Sequence, residues 1–331
     1  MAGTYIKPHR TYEEQLKLLQ GRGLEVSDEE AALRLLRTVG YYRLSAYVYP
    51  FREMLPRDQR TLASPTHYRS ETITPGTEFS GVESLWRFDR KLRLLVLDAV
   101  ETVEIGLRTK ISYVLGARDK FGHLNIASLN ESVCVQPRRR DRRTSDTRHQ
   151  VWLSGYERSI RESGQEDFLR HNLHKYEELP VWIAVEVLTF GALVRLFNLM
   201  RQEDQTLIAR ELGVKGGPLL GGWLEAVNYL RNVAAHHARL WNRSMTYKIR
   251  KFNQHQVGSD LLHLANQVPI DKVYSSLAVS AYLLRQIDPG NSWPRTLMTH
   301  VRKFPAETGM SPTNSMGFPV GWDGQALWNA Q

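Results

Sequence analysis

Apolar residues recur every three or four positions over most of this chain, and no stretch alternates polar and apolar residues convincingly, so the pattern predicts helices rather than strands. Thr11 with Glu14 and Ser27 with Glu30 have the spacing of a capping box, in which two side chains reciprocally satisfy free backbone N–H groups. Gly21 and Gly40 are placed to end the two helices so opened. An aromatic stretch follows (Tyr41, Tyr42, Tyr47, Tyr49, Phe51), and residues 52–79 read as an irregular linker. At most a small β element is expected near residues 65–80, such as a hairpin around Pro75 and Gly76.

Ser80 and Glu83 repeat the capping box ahead of the longest helical signal. Leu85, Phe88, Leu92, Leu95, Ala99, Val103, Leu107, Ile111 and Val114 keep one face of that helix apolar. Glu104 and Arg108, four apart, can pair on its surface. Residues 116–150 break the pattern with Gly, Asn, Ser, Pro and a run of arginines. Helices are expected again over about 151–163, 166–176, 180–200, 218–240, 271–287 and 293–303, with Pro180 and Pro218 at helix starts. The tail after Pro305 is rich in Gly, Pro and Ser and reads as an irregular segment on the surface. The expectation is an all-α chain with a small helical N-terminal region and linker (1–79), a helical bundle (80–290) and a C-terminal appendage (291–331).

Composition narrows the classes. The chain has 331 residues, 42% hydrophobic and 10% aromatic, enough for a proper core and against general disorder. Its 44 Lys+Arg against 35 Asp+Glu give a net charge of +9, which favours a polyanionic partner without requiring one. Cys134 is the only cysteine, which excludes an intramolecular disulfide and a cysteine-based zinc site and fits a reducing compartment. Met1 to Arg10 lack the apolar core of a secretory signal. No apolar run reaches the roughly 18 residues of a membrane span. A soluble, cytoplasmic protein with no membrane contact is expected.

The informative segment is Leu230-Arg231-Asn232-Val233-Ala234-Ala235-His236-His237. At about 100° per residue, Leu220, Trp223, Val227, Leu230, Ala234 and His237 form one apolar stripe. Asn232 falls opposite, His236 lies nearly above it, Arg231 flanks them, and Glu225 and Asn228 extend the polar face. Such a group suits cleavage of RNA, in which a ribose 2′-hydroxyl attacks the adjacent phosphate. Histidine can act as base or acid near neutral pH. Arginine supplies a permanent charge and planar donors for the phosphorane oxygens, and asparagine can orient the imidazole or the substrate. Arg-Asn followed by His is nonetheless common by chance on helices. Phase assigns His237 to the core rather than to chemistry, leaving it a secondary site residue.

A resemblance sharpens this reading. Leu230-Arg231-Asn232-x-x-Ala235-His236-His237-x-Arg239-Leu240-Trp241-Asn242-Arg243 resembles the signature of the AbiD/AbiF abortive-infection proteins, within the broader HEPN superfamily. Similar landmarks run in order from about residue 10 to 245: Arg22-Gly23-Leu24, Tyr41-Tyr42-Arg43-Leu44-Ser45, Phe88-Asp89-Arg90 with Leu92-Arg93, and Leu179-Pro180-Val181-Trp182 with Phe190-Gly191. Ala46 departs from the family, where glycine is more usual. The resemblance implies a HEPN-type bundle and an Arg…His nuclease motif. Both His236 and His237 fit its spacing, and the family pattern favours His236. It also implies a homodimer, since such nucleases face two motifs across an interface and this chain has one copy. Its implied function is antiphage defence by a metal-independent endoribonuclease, held in check by a structured noncoding RNA. The competing reading is a non-catalytic protein that holds such an RNA.

Arg138, Arg139, Arg140, Arg142 and Arg143, with Arg148 and His149 just beyond, could grip phosphates without reading sequence or could form a solvated loop. Arg239 and Arg243 could line the same RNA path or stabilise the helix C-terminus. Tyr41, Tyr42 and Arg43 could stack on bases but more often such residues pack at a junction. No metal-ligand spacing and no phosphate-binding glycine loop is evident, so no cofactor is expected.

Overall fold

Thr11 opens the first helix as its spacing predicts: its hydroxyl accepts from the Glu14 N–H, and the Glu14 carboxylate accepts from the Thr11 N–H at 2.7 Å. The computed structural model describes residues 8–61, 67–137, 146–266 and 268–329. Helices make up 64% of the structure, sixteen of them among the described residues, and the one sheet there has two strands, so the fold is all-α. By contacts the chain groups into two units, Met1–Leu92 with His300–Asn314, and Arg93–Thr299 with Ser315–Gln331.

The first unit begins with helices Tyr12–Gln20, Glu29–Val39 and Tyr41–Val48. The second of these departs in detail from expectation. Asp28, one residue after Ser27, is its N-cap, accepting from the Ala31 N–H at 2.8 Å, while the Ser27 hydroxyl donates to Glu78 at 3.3 Å. Gly40 ends that helix at φ 82, where a side chain would be strained. The aromatic stretch is itself a helix, with Tyr42 91% exposed while Tyr47 is buried and donates to Asp89 at 2.6 Å. The β element is small, as expected, but it is not a hairpin around Pro75 and Gly76: Arg52–Met54 pairs antiparallel with Arg69–Ile73, in the register Arg52 to Ile73 and Met54 to Arg69. Arg22 donates to the Tyr41 hydroxyl at 2.9 Å and pairs with Glu71, and its carbonyl accepts from the Ile73 N–H at 2.7 Å. Arg22, Leu24, Tyr41, Leu44, Phe88 and Asp89 among the sequence landmarks of this unit are therefore packing residues, whereas Tyr42, Arg43 and Arg90 are exposed. His300 stacks on Phe88 with ring centres 4.4 Å apart.

The helix Phe79–Arg118 belongs in part to each unit. Its expected stripe is buried from Leu85 to Ile111, ending on Leu115 rather than Val114. In the second unit, Arg108 pairs with Glu104 and donates to the carbonyls of Val185 and Leu188. Those carbonyls belong to a break: the expected helix over 180–200 is divided into Val181–Ala184, a single 3₁₀ turn at Val185–Val187, and Phe190–Leu199. Extended Leu188 and Thr189 separate them, and Thr189 caps the new start by accepting from the Ala192 N–H. Arg148–Glu162 opens on a capping box of Thr147 and Gln150. Gln202–Glu211, Gly217–Ala235, Val273–Ile287 and Trp293–Arg302 follow. Every residue from Val273 to Leu284 is buried, which makes that helix the centre of the unit.

The C-terminal segment corrects the expectation of an irregular surface tail. It carries short helical turns, and Met316, Phe318, Leu327 and Trp328 are buried, with the Trp328 indole donating to the Tyr274 hydroxyl at 3.2 Å. Widely spaced apolar side chains still gain from burial between Gly and Pro turns. No helix among the described residues is long and apolar enough to cross a membrane.

Candidate functional site

The helix Gly217–Ala235 buries Leu220, Trp223, Val227, Leu230 and Ala234 completely, as its phase predicts. It packs against Phe190–Leu199, Gln202–Glu211 and Val273–Ile287. The Trp223 indole donates to the Arg250 carbonyl at 3.0 Å, and its ring meets Phe252 and Tyr282 edge-on. Gly221 allows the neighbouring helix to come close, since a Cβ there would lie 2.4 Å from Asn198 Oδ1. The helix is therefore fixed on its apolar side, and the site is on the other.

Arg231 and Asn232 are half-buried on that other side, with the Arg231 guanidinium donating to Asn232 Oδ1 at 3.3 Å. The expected helix ran to about residue 240, but it ends at Ala235. His236 is its C-cap, yet the His236 N–H still bonds to the Asn232 carbonyl at 3.0 Å, one turn below. That retained bond keeps His236 in helical register above Asn232, with its side chain exposed.

His237 does not follow the phase assigned to it. It takes a left-handed conformation, φ 55, which among the described residues no other non-glycine adopts. Its N–H bonds to the Ala234 carbonyl at 3.0 Å, and the Ala238 N–H reaches the Val233 carbonyl at 3.1 Å. These are the two bonds of a Schellman ending, with histidine where glycine is usual. The turn carries His237 out of the apolar stripe, and it is exposed rather than a core residue. Leu240 and Trp241, both fully buried, anchor the chain just beyond. Arg239 and Arg243 are half-buried in this turn, where Arg243 Nε donates to the Arg239 carbonyl at 3.2 Å.

A left-handed non-glycine residue costs roughly 1–2 kcal/mol, and strain of this kind is concentrated at functional sites. His237→Gly is therefore expected to raise thermal stability, by up to about 1 kcal/mol once the extra chain entropy of glycine is counted. Melting of the two proteins side by side checks this. A lower melting temperature would mean that the imidazole makes a stabilising contact outweighing the strain.

Arg138, Arg139, Arg140, Arg142 and Arg143 lie outside the described residues. Of the two residues beyond them, Arg148 is exposed, whereas His149 is buried, its Nε2 3.0 Å from the His123 carbonyl, so His149 cannot form part of a basic arm. His123 is held neutral by burial, which pushes its pKa down to about 4. Burial likewise raises the lone thiol, Cys134, to about 11, so it is inert.

Arg148 instead faces a cleft that also includes Arg158, Arg195, Asn198 and Glu225. Arg158 and Arg195 were not singled out by sequence; the signal for Arg158 was the spacing of Arg148, Val151, Gly155 and Arg158 along one helix face, and Arg195, on another helix, had none. Among the described residues no group of three His, Cys, Asp or Glu side chains is arranged to hold a metal ion.

A family model described as Abi-like protein matches residues 34–242, which include the whole of the Arg231–His236 segment. No curated protein and no solved structure matches the chain.

Proposed function

Since this chain belongs to the Abi-like family of abortive-infection proteins, we propose that it defends against phage by cutting RNA, as a metal-independent endoribonuclease of the HEPN type within the AbiD/AbiF group. One observation carries the reading. Arg231, Asn232 and an exposed His236 share the open end of a helix whose other face is wholly buried.

The chemistry follows from these side chains. A base removes the ribose 2′-hydroxyl proton as that oxygen attacks the phosphorus. The bond to the 5′-oxygen breaks, and an acid protonates the departing oxygen, leaving a 2′,3′-cyclic phosphate and a 5′-hydroxyl. His236 can serve in either role. Arg231 neutralises the charge that builds on the phosphorane oxygens, and Asn232, bonded to Arg231, holds that guanidinium in place. One chain offers one such histidine, so a homodimer that apposes two copies supplies both base and acid. Arg239 and Arg243, fixed in the turn after His236, offer further charge to the RNA backbone. A structured noncoding RNA bound to this surface would keep the enzyme silent until infection.

The test is incubation of the purified chain, in EDTA, with the RNA that copurifies with it and with tRNA and mRNA. Cleavage by the wild-type chain and none by His236→Ala is the expected result. Tight binding without cleavage of any of the three would favour a non-catalytic RNA-binding protein instead.

A further inference from the structure

A cleft of about 580 Å³ opens in the second unit between the helices Arg148–Glu162 and Phe190–Leu199 and the Glu225 turn of the motif helix. Arg148, Arg158 and Arg195 line it, all with exposed side chains, against two carboxylates, Asp146 and Glu225. The Arg148 N–H is pinned to the Gln136 carbonyl at 2.8 Å. Trp152 forms a fixed wall, its indole buried and donating to the Ala192 carbonyl at 2.9 Å.

The wall also carries a glycine that packing does not require. Gly155 lies mid-helix, where alanine is the better helix former, and a Cβ there would meet nothing within 4 Å. Its missing side chain keeps the cleft open between Arg148 and Arg158. Glu225 is the carboxylate that opposes these charges from the motif helix. Burial raises its pKa, against its bond from Asn198 at 2.9 Å and the charges of Arg148 and Arg250.

The cleft and the Arg231–His236 segment lie along one helix. Glu225, Asn228 and Asn232 recur at three and four residues, so they share a face. From Glu225 to Asn232 is about 10 Å along the helix axis at about 1.5 Å per residue, a distance that a strand a few nucleotides long spans. We propose that this cleft is a phosphate-binding subsite, in which Arg148, Arg158 and Arg195 grip the backbone of a single-stranded RNA a few nucleotides from the bond presented to His236. The inference rests on the ribonuclease reading for its choice of ligand. Guanidinium groups suit it because their planar donors match phosphate oxygens, and they position a strand without selecting its sequence.

The test uses a short single-stranded 2′-O-methyl RNA, which lacks the attacking hydroxyl, so that binding is read apart from cleavage. Arg148→Gln with Arg158→Gln removes two charges from exposed positions, and Gly155→Glu places a carboxylate in the open wall. The expected result, in full-length proteins that melt like wild type, is an affinity at least about tenfold weaker for each. For the arginine pair, the slope of log affinity against log salt should flatten by about 0.7 per lost contact. Wild-type affinity in either variant, or no binding by the wild-type chain, overturns the proposal. The two readings fail separately: binding lost in both variants, with no cleavage of unmodified RNA by the wild-type chain, contradicts the nuclease alone. Cleavage with binding unchanged in both variants contradicts the subsite alone.

Discussion

His236→Ala is expected to slow RNA cleavage by about 10²–10⁴-fold, the usual worth of a positioned proton-transfer group, while leaving the melting temperature within error of wild type. The reason lies in how His236 is held. The bond that places it, from its N–H to the Asn232 carbonyl, belongs to the backbone and survives the substitution. Its side chain is exposed and fills no part of the core, so little packing is lost. Cleavage rate and melting are measured on the same preparation. A fully active variant would remove His236 from the chemistry. An inactive variant with a much lower melting temperature would assign the residue to the fold instead.

Trp223→Ala is expected to have the largest effect on stability. Truncating a large buried aromatic side chain costs about 3–5 kcal/mol, and here the Arg250 carbonyl also loses its indole donor. Native domains are stable by only about 5–15 kcal/mol, so the variant should be partly unfolded at moderate temperature. Trp223→Phe, which keeps much of the contact with Phe252 and Tyr282 but not the hydrogen bond, should fall between. Denaturant unfolding of the three proteins gives the order directly. A loss below about 1 kcal/mol for Trp223→Ala, as for surface substitutions, would mean that the motif helix is not anchored through this residue.

The anchor was legible in sequence because its cause is local. Leu220, Trp223, Val227 and Leu230 repeat at helical spacing, and each is buried. Thr11 and Glu14 announced their capping box in the same way. His237 could not be placed so, because phase holds only while the helix continues. The Schellman ending that stops it carries no glycine, so the sequence has no mark for the turn. The interruption at Leu188 and Thr189 did have a sign, a cap residue three before Ala192, hidden in a run of apolar residues that reads as one helix. Phe318 and Trp328 were masked by their Gly- and Pro-rich surroundings, although the side chains themselves call for burial. Arg158 and Arg195 stand on different helices, and only tertiary packing brings them to one cleft with Glu225.

The most direct test of metal-independent cleavage by 2′-hydroxyl attack is the chemistry of the new RNA ends, determined on fragments made by the wild-type chain in EDTA. A 2′,3′-cyclic phosphate on one fragment and a 5′-hydroxyl on the other is the expected pair, since in the proposed reaction the phosphate stays with the attacking ribose. Fragments bearing 5′-phosphates, or a requirement for divalent metal under conditions that preserve RNA structure, would contradict it.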